Sequence, residues 1–245
     1  MRDKIRDYFE YLSLFESELY LDKLPEGSLD KIPQPELDTS VSPGSGGLNP
    51  YPSHAPYDSL EVMESQVKGC LRCPLGSQRN KFVFGTGSSR ARVVFIGEAP
   101  GAREDLKGEP FVGRAGELLN QMLQQIGWQR SDFYICNILK CRPPNNRDPQ
   151  PDEISQCEPF LHEQLRLLDP LWLVALGRVS AQVLLRTKAP LRALRGRVHN
   201  YRDKPFWIIY HPAALLRNQN LMSEAHQDLL TLKRMVESGE GLSGV

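Results

Sequence analysis

Four short apolar segments rich in β-branched and aromatic residues constrain the fold of this 245-residue chain more than any other feature. The segments cover residues 92–97, 133–138, 171–177 and 206–210, and stretches with helical periodicity lie at 115–126, 151–168, 179–185 and 222–236. Near-continuous apolar strands that alternate with helices are typical of a parallel sheet covered on both faces. We therefore predict an α/β fold, a single three-layer α/β/α domain with a central, mostly parallel sheet.

The composition changes sharply ahead of this domain. Residues 3–22 place apolar side chains three and four positions apart, which predicts an amphipathic helix within residues 1–23. Residues 24–58 are rich in Pro, Gly and Ser and are predicted to form a disordered linker, because they cannot bury enough apolar surface to become ordered. The α/β domain then spans 59–236, with a flexible tail at 237–245. The detached helix either docks on a protein partner or packs on the domain.

The net charge of zero conceals an uneven distribution. Residues 1–58 carry 5 basic and 11 acidic side chains, whereas residues 59–245 carry 25 basic and 19 acidic ones. A positive surplus after residue 58 is compatible with nucleic-acid binding and also with an ordinary solvated surface. The apolar runs are far shorter than the roughly 20 residues of a membrane span, and the N-terminus has no apolar signal core. We expect a soluble, cytoplasmic, monomeric protein without a membrane partner.

Polar residues stand at or beyond the carboxyl ends of the predicted strands, where open α/β sheets bind ligands. They are Glu98 and Ala99 after Gly97, Asn137 in the second strand, and His211 after the fourth. Any one of them could be a turn or capping residue. An acid, an amide and an imidazole on one rim indicate a pocket for a polar small molecule or a base.

Two loops add further candidate residues. Phe111 lies between glycines just before a predicted helix, which favours an exposed turn and a ring that stacks on a flat heterocycle. The alternative is a core position at the helix start. In the segment 211–217, Leu215 and Arg217 are candidates for inserting a wedge into DNA and gripping a phosphate. The alternative there is the first turn of a helix with its leucines packed inward.

Five cysteines without a secretion signal favour reduced thiols, and four of them have the spacing of metal ligands. Cys70 and Cys73 form a CxxC pair, and Cys141 and Cys157 have 15 residues between them. Such a set can hold a tetrahedral zinc ion or a [4Fe–4S] cluster, and the spacing does not distinguish the two. Unrelated buried thiols are the alternative. Cys136, inside an apolar strand, is predicted to be a core thiol.

Taken together, five segments resemble the family 4 uracil-DNA glycosylases, the iron–sulfur members of the uracil-DNA glycosylase superfamily. The segments are 70–76, 97–119, 137–153, 194–199 and 211–217, within roughly residues 60–235. The resemblance implies a DNA repair enzyme that flips uracil out of single- or double-stranded DNA and hydrolyses its N-glycosidic bond, leaving free uracil and an abasic site. It also implies a [4Fe–4S] cluster on Cys70, Cys73, Cys141 and Cys157, with zinc as the alternative.

The resemblance further implies roles for the pocket residues. Phe111 would stack on the flipped uracil, and Asn137 would pair with its O4 and N3–H. His211 would donate a hydrogen bond to O2 as negative charge builds there. Glu104 would crowd the C5 position and so reject the methyl group of thymine.

The resemblance does not identify the residue that positions the attacking water. The resemblance implies that Gly97, Glu98 and Ala99 line the pocket with backbone groups. Better-known members of the superfamily have an acidic residue at the position of Ala99, where it positions the water, whereas family 4 proteins commonly have a small residue there. Glu98 is the nearest carboxylate in the sequence, and we take it as the third catalytic candidate beside His211 and Asn137.

Two other functions stay open at this point. A capture protein would bind uracil-DNA and remain covalently attached to the abasic site. Relatives of that type have a basic, histidine-bearing insertion and a different first motif; residues 188–199 show no such insertion, although arginines make them basic. A non-enzymatic, metal-stapled nucleic-acid adaptor would bind DNA without releasing a base.

Overall fold

The computed structural model describes residues 57–239. The predicted N-terminal helix at 3–22, nearly all of the predicted linker at 24–58 and residues 240–245 lie outside the described residues. The last helix extends to Ser238, so it takes in the first two residues of the predicted tail. Within the described range, none of the helices is both long and apolar enough to cross a membrane.

Strands and helices alternate along residues 57–239 as the sequence predicts. The strands are β1 (Thr86–Gly87), β2 (Val93–Gly97), β3 (Tyr134–Asn137), β4 (Trp172–Leu176), β5 (His199–Tyr201) and β6 (Lys204–Ile209). The helices are α1 (Leu60–Val67), α2 (Leu75–Gln78), α3 (Ala102–Lys107), α4 (Arg114–Gln125), α5 (Pro151–Leu168), α6 (Arg178–Leu184), α7 (Leu191–Leu194), α8 (Pro212–Arg217) and α9 (Met222–Ser238). The predicted strands correspond to β2, β3, β4 and β6, and the predicted helices to α4, α5, α6 and α9.

The strands form one sheet in the order β1-β3-β2-β4-β6-β5. The four inner strands are parallel, while β1 and β5 pair antiparallel with β3 and β6 at the two edges. This confirms the mostly parallel sheet. The two edge strands were not predicted, because runs of two and three residues with mixed polarity carry no periodic signal.

Helices cover both faces of the sheet. Alternate strand residues point to opposite faces, and on one face Phe95, Ile135 and Val174 pack with residues of α4 and α9 in one hydrophobic core. On the other face Gln164 of α5 donates a hydrogen bond to the hydroxyl of Tyr134. The three-layer α/β/α architecture is therefore confirmed.

The start of α5 is set by local sequence. Gln150 and Glu153 form a capping box around Pro151, whose ring has the φ angle that the first helical position needs. With its start placed there, α5 buries both Cys157 and Gln164.

The parallel register brings the carboxyl ends of the inner strands to one rim. Gly97 of β2 pairs with Asn137 of β3, and Leu176 of β4 pairs with Ile209 of β6. The chain leaves β2 towards β3 and leaves β4 towards β6, so the connections diverge between β2 and β4. Open α/β sheets bind their ligands at such a switch point.

Candidate active site

Gly97 leaves room at the end of β2 for two side chains of the rim. A Cβ atom on Gly97 would lie 2.3 Å from the Oδ1 of Asn137 and 2.8 Å from ring atoms of Phe111. Both distances are shorter than van der Waals contact, so a side chain here would displace one neighbour or both. The fold thus brings Gly97, Asn137 and Phe111 together.

Phe111 is buried, so the prediction of an exposed turn is wrong. Its side chain is 6% exposed, and its backbone has a φ of 55°, a left-handed conformation that is strained for a bulky residue. Its carbonyl packs so closely on α4 that a Cβ atom on Gly116 would collide with it. The ring lies 5.6 Å from the imidazole of His211, measured between centroids. Phe111 therefore lies buried at the rim beside Gly97 and His211 instead of forming a surface platform.

Asn137 carries a buried amide oxygen with unused hydrogen-bonding capacity. The residue is 2% exposed, and its Oδ1 has no hydrogen-bond partner among residues 57–239. Leaving a buried acceptor unpaired costs about 1–3 kcal/mol. Such an acceptor at the rim of a ligand-binding fold indicates a site whose ligand supplies the missing donor.

The imidazole of His211 is neutral and has a defined tautomer. Its Nδ1 accepts a 3.1 Å hydrogen bond from the backbone N–H of Ala213, at the start of α8. Burial and the positive charge of Arg217 together lower the pKa of His211 to about 4. A neutral ring with an acceptor Nδ1 carries its proton on Nε2. The Nε2–H group is therefore the one that can donate to a ligand.

Glu98 directly follows β2 and titrates near neutrality. Burial and the negative charge of Asp148 together raise the pKa of Glu98 to about 7, against the opposing positive charge of Arg178. Arg178 donates a 2.8 Å hydrogen bond to the carboxylate of Asp148, so an ion pair from the segments after β3 and β4 lies beside Glu98. Sequence analysis missed Asp148, since a carboxylate in a polar loop gives no local sign of which strand end it approaches.

Glu104 on α3 holds the loop that carries Phe111. Its Oε1 accepts hydrogen bonds of 2.9 and 2.8 Å from the backbone N–H groups of Val112 and Gly113. The carboxylate thereby caps the N-terminus of α4, where negative charge is favourable. Its charge also favours the protonated form of His211, which places it near the imidazole. Ala99, beside Glu98 on the same rim, is half-buried.

The two leucines of α8 lie in different environments. Leu215 is fully buried in the hydrophobic core, so the prediction that it contacts DNA is wrong. Leu216 is 37% exposed and Arg217 is exposed, so the phosphate contact of Arg217 stays a prediction. A helix turns about 100° per residue, so the two adjacent leucines point in different directions, and here Leu215 is the one in the core.

One arginine of the basic stretch at 188–199 points inward. Arg195 donates hydrogen bonds of 2.7 Å to Asp228 and 2.8 Å to Glu224, both on α9. Its guanidinium also lies 3.7 Å from the ring centroid of Tyr210, the residue before His211. Arg195 therefore stabilises the loop that carries His211, and its positive charge is balanced by Asp228 and Glu224 within the protein.

The cysteines predicted as metal ligands lie near one another. Burial is the main cause that raises the pKa of Cys141 to about 11 and that of Cys157 to about 12, and neighbouring cysteines of the set contribute to both shifts. Two N–H groups approach their sulfurs: the backbone N–H of Lys140 lies 3.2 Å from Cys157 Sγ, and Arg79 Nη1 lies 3.5 Å from Cys141 Sγ. Within residues 57–239, no three His, Cys, Asp or Glu residues are grouped closely enough to hold a metal ion. Cys136 is fully buried in β3, as predicted for a core thiol.

Comparisons with known proteins agree with this fold and rim. Residues 84–231 match the family model of the uracil DNA glycosylase superfamily. The type-4 uracil-DNA glycosylase of Archaeoglobus fulgidus is 42% identical over 179 residues, which cover 70% of this chain and 90% of that protein. The type-4 enzyme of Sulfurisphaera tokodaii is 40% identical over 187 residues, 73% of this chain and 85% of the relative. That of Thermotoga maritima is 42% identical over 163 residues, 66% of this chain and 85% of the relative.

The α/β/α domain carries an acid, an amide and an imidazole on one rim of its sheet and matches this family model. The chain therefore belongs to the uracil DNA glycosylase superfamily. The three relatives all carry the type-4 name. They confirm the resemblance of the five sequence segments to the family 4 uracil-DNA glycosylases.

Proposed function

We propose that this protein removes uracil from DNA as a repair enzyme, by hydrolysing the N-glycosidic bond to leave free uracil and an abasic site. The observation that carries the proposal is the buried amide of Asn137, whose Oδ1 lacks a partner among the described residues. It lies near Phe111, whose ring in turn neighbours the neutral imidazole of His211. A base flipped out of the DNA stack would fill this site, and the relatives' type-4 names support uracil as that base.

Asn137 would select uracil through its two-sided amide. The Oδ1 would accept a hydrogen bond from uracil N3–H, and the NH₂ group would donate to O4. Cytosine presents an N3 acceptor and a 4-amino donor at these positions. The Oδ1 of Asn137 would therefore face another acceptor, and its NH₂ group would face another donor. Each buried group left unpaired costs about 1–3 kcal/mol. Stacking on Phe111 would hold the base without distinguishing between bases.

His211 would stabilise the leaving group. Breaking the N-glycosidic bond gives an oxocarbenium-like sugar and a uracil anion whose charge concentrates on O2 and O4. The Nε2–H of a neutral imidazole would donate to O2 as this charge develops. With a pKa of about 4, His211 keeps this neutral form at physiological pH.

Glu98 would accept a proton from the attacking water. Its pKa of about 7 leaves a large fraction of the residue as carboxylate at neutral pH while keeping it basic enough to act. The water would add to C1′ of the sugar and give its proton to Glu98. Glu104 would position the Phe111 loop through Val112 and Gly113, in addition to its predicted exclusion of the thymine methyl group.

The rate of uracil release is expected to fall as the pH drops below about 7, because protonated Glu98 cannot take a proton from water. The fall should approach about tenfold per pH unit, with a plateau above the pKa. Single-turnover rates measured across this range test it. Glu98→Gln should lose most of the rate and the inflection together, whereas Glu109→Gln, at an exposed site in the next loop, should keep both. A Glu98→Gln protein with the wild-type profile would remove Glu98 from the chemistry.

The segment 211–217 would contact the DNA backbone and the gap left by the flipped base. Arg217 is exposed next to the pocket histidine and would bind a phosphate. Leu216, which is partly exposed, would insert as the wedge in place of the buried Leu215. The positive surplus after residue 58 supports a polyanionic partner.

We propose that the cysteine group holds a [4Fe–4S] cluster and not zinc, because the sequence resembles the iron–sulfur family and the relatives carry the type-4 name. Cys73 and Cys70 both raise the pKa of Cys141, Cys141 and Cys73 both raise that of Cys157, and N–H groups point at the sulfurs of Cys141 and Cys157. N–H donors to sulfur are a feature of iron–sulfur sites. When bound, the cluster would supply a cross-link between the α1–α2 loop, the β3–α5 loop and α5.

Cys141→Ser is expected to remove iron and acid-labile sulfide and to lower the unfolding temperature and the DNA affinity, because three segments lose their cross-link. Iron analysis, thermal unfolding and DNA titration measure these effects. Cys136→Ala serves as the control, since its thiol lies in the core of β3 and should leave the iron content unchanged. Iron-free Cys141→Ser protein with full stability and DNA affinity would contradict the cross-linking role.

The function is tested with a labelled oligonucleotide that contains one uracil, analysed on a denaturing gel with and without alkali. A glycosylase gives alkali-dependent cleavage at the uracil with repeated turnover. A capture protein gives a stoichiometric shifted band that resists denaturant. DNA binding without either signal, from protein with its iron intact, would leave the adaptor function.

The remaining expectations concern location and partners. A chromosomal DNA substrate favours action in the cytoplasm of a bacterial or archaeal cell, and we propose that the α/β domain acts as a monomer. The helix predicted at 1–23 stays a prediction as a docking element, because it lies outside the described residues.

A further inference from the structure

Lys140 is a fully buried lysine, three residues after Asn137 and directly before Cys141. Its Nζ donates a 2.7 Å hydrogen bond to the backbone carbonyl of Asn137 and a 2.5 Å hydrogen bond to Oε1 of Gln164. Lysine is almost never fully buried unless its donors are satisfied. Because burying a lysine costs free energy, we expect Lys140 to do more than fill space in the core.

The carbonyl held by Lys140 lies where β3 leaves the sheet. Beyond Asn137, the N–H groups of Ile138 and Leu139 still donate to the carbonyls of Gly97 and Glu98, both at 3.0 Å. The Asn137 side chain has no such anchor, because its Oδ1 is unpaired among the described residues. The direction of the amide therefore depends on the backbone that carries it, and Nζ of Lys140 binds that backbone directly.

The main chain of Lys140 is anchored to two other segments of the chain. Its N–H lies 3.2 Å from Cys157 Sγ, and its carbonyl accepts a 2.9 Å hydrogen bond from the N–H of Val83. Gln164, the other acceptor of Nζ, is itself held through its amide by the carbonyl of Phe84 at 3.0 Å. The lysine thus connects the cysteine group and α5 to the residue that would read the base.

We propose that Lys140 is a positioning residue, which fixes the backbone of Asn137 so that its amide meets the uracil edge in the geometry that hydrolysis requires. The inference rests on the proposed function. It does not depend on the charge of the lysine, because an amine and an ammonium group both have enough N–H donors for two hydrogen bonds.

Lys140→Met tests the proposal, because methionine has a similar length and can fill the buried space but cannot donate. We expect kcat for uracil release to fall about 10- to 100-fold, the range typical of lost supporting contacts at an active site. The KM for DNA should not change, because other residues, such as Arg217, would bind the DNA backbone. Inhibition by free uracil should weaken, and the iron content should stay at the wild-type value.

Gln164→Leu is the matched control. It disrupts the same buried network, including the hydrogen bonds to Phe84 and Tyr134, but leaves the bond from Nζ to the Asn137 carbonyl. We expect it to lower the unfolding temperature and to lower kcat less than Lys140→Met does, because the hydrogen bond from Nζ to the Asn137 carbonyl remains. Lys140→Gln, which keeps an N–H donor on a side chain one bond shorter, provides a second variant if Lys140→Met does not fold, and its kcat should lie between those of Lys140→Met and wild type.

The possible outcomes separate the two proposals. If wild-type protein releases uracil and Lys140→Met is less stable but keeps the wild-type kcat and inhibition by uracil, Lys140 is only structural and the inference is overturned. Equal loss of kcat in Gln164→Leu and Lys140→Met would overturn it as well. If the wild-type protein releases no uracil, the proposed function fails first.

Discussion

Replacement of His211 by asparagine is expected to lower the rate of uracil release about 10²- to 10³-fold, the effect of removing one donor from the site of a developing anion. Asparagine can still accept the hydrogen bond from the Ala213 N–H, because it is a good N-cap residue. It is too short to place an N–H group where Nε2 of the imidazole stands. The variant therefore removes the donor and keeps the start of α8. Single-turnover release from a uracil-containing oligonucleotide measures the loss.

Two controls make this result specific. His226→Asn, on the C-terminal helix α9, should retain the wild-type rate. The unfolding temperature and iron content of His211→Asn should match those of the wild type. The loss should also be constant over the neutral range, since His211 with a pKa of about 4 does not change its charge there. A His211→Asn protein that released uracil at the wild-type rate would show that O2 is stabilised by another group.

Asn137→Ala should have an effect of similar size, about 10²- to 10³-fold in kcat/KM for uracil-DNA. The substitution removes both polar groups that would pair with the uracil edge. It should also reduce the preference for uracil over cytosine, because an apolar wall no longer penalises the 4-amino group. Rates on matched oligonucleotides with one uracil or one cytosine opposite the same base measure both effects.

The fold is expected to survive this substitution. The Oδ1 of Asn137 has no partner among the described residues, so its removal breaks no hydrogen bond there and relieves a buried unpaired acceptor. The unfolding temperature should therefore be unchanged or higher. Asn120→Ala, on α4, is the control amide and should keep the rate and the preference. An Asn137→Ala protein that kept its preference for uracil would place base selection elsewhere, for example in the shape of the pocket.

Local sequence was sufficient to predict the central part of the fold. The four inner strands follow from uninterrupted apolar runs, and helices such as α5 follow from periodicity together with a capping box at Gln150 and Glu153. These signals are local, since each depends on neighbours within one or two turns. The edge strands β1 and β5 carry no such signal, because their pairing with the sheet defines them.

Site residues could be nominated from sequence, but their environments could not. Leu215 and Leu216 are chemically identical neighbours, and only the packing of α8 on the core decides which is exposed. Phe111 looked like an exposed turn residue because its flanking glycines do not reveal that the turn folds inward against α4. The sequence gives no sign that Lys140 is buried, since a lysine in a polar loop is almost always at the surface.

The amino-acid sequence alone is enough to predict the order of strands and helices, the polar residues that follow the strands and the four cysteines with ligand spacing. These properties depend on residue type and on distances along the chain. Four other properties emerge only on folding: the strand order, the burial of Phe111, the tautomer of His211 and the raised pKa of Glu98. The last two arise from Ala213 and from burial beside Asp148, which lies 50 residues further along the chain (148 − 98). Electrostatic and steric environments depend on distances in space, and those exist only once the sheet has brought remote segments together.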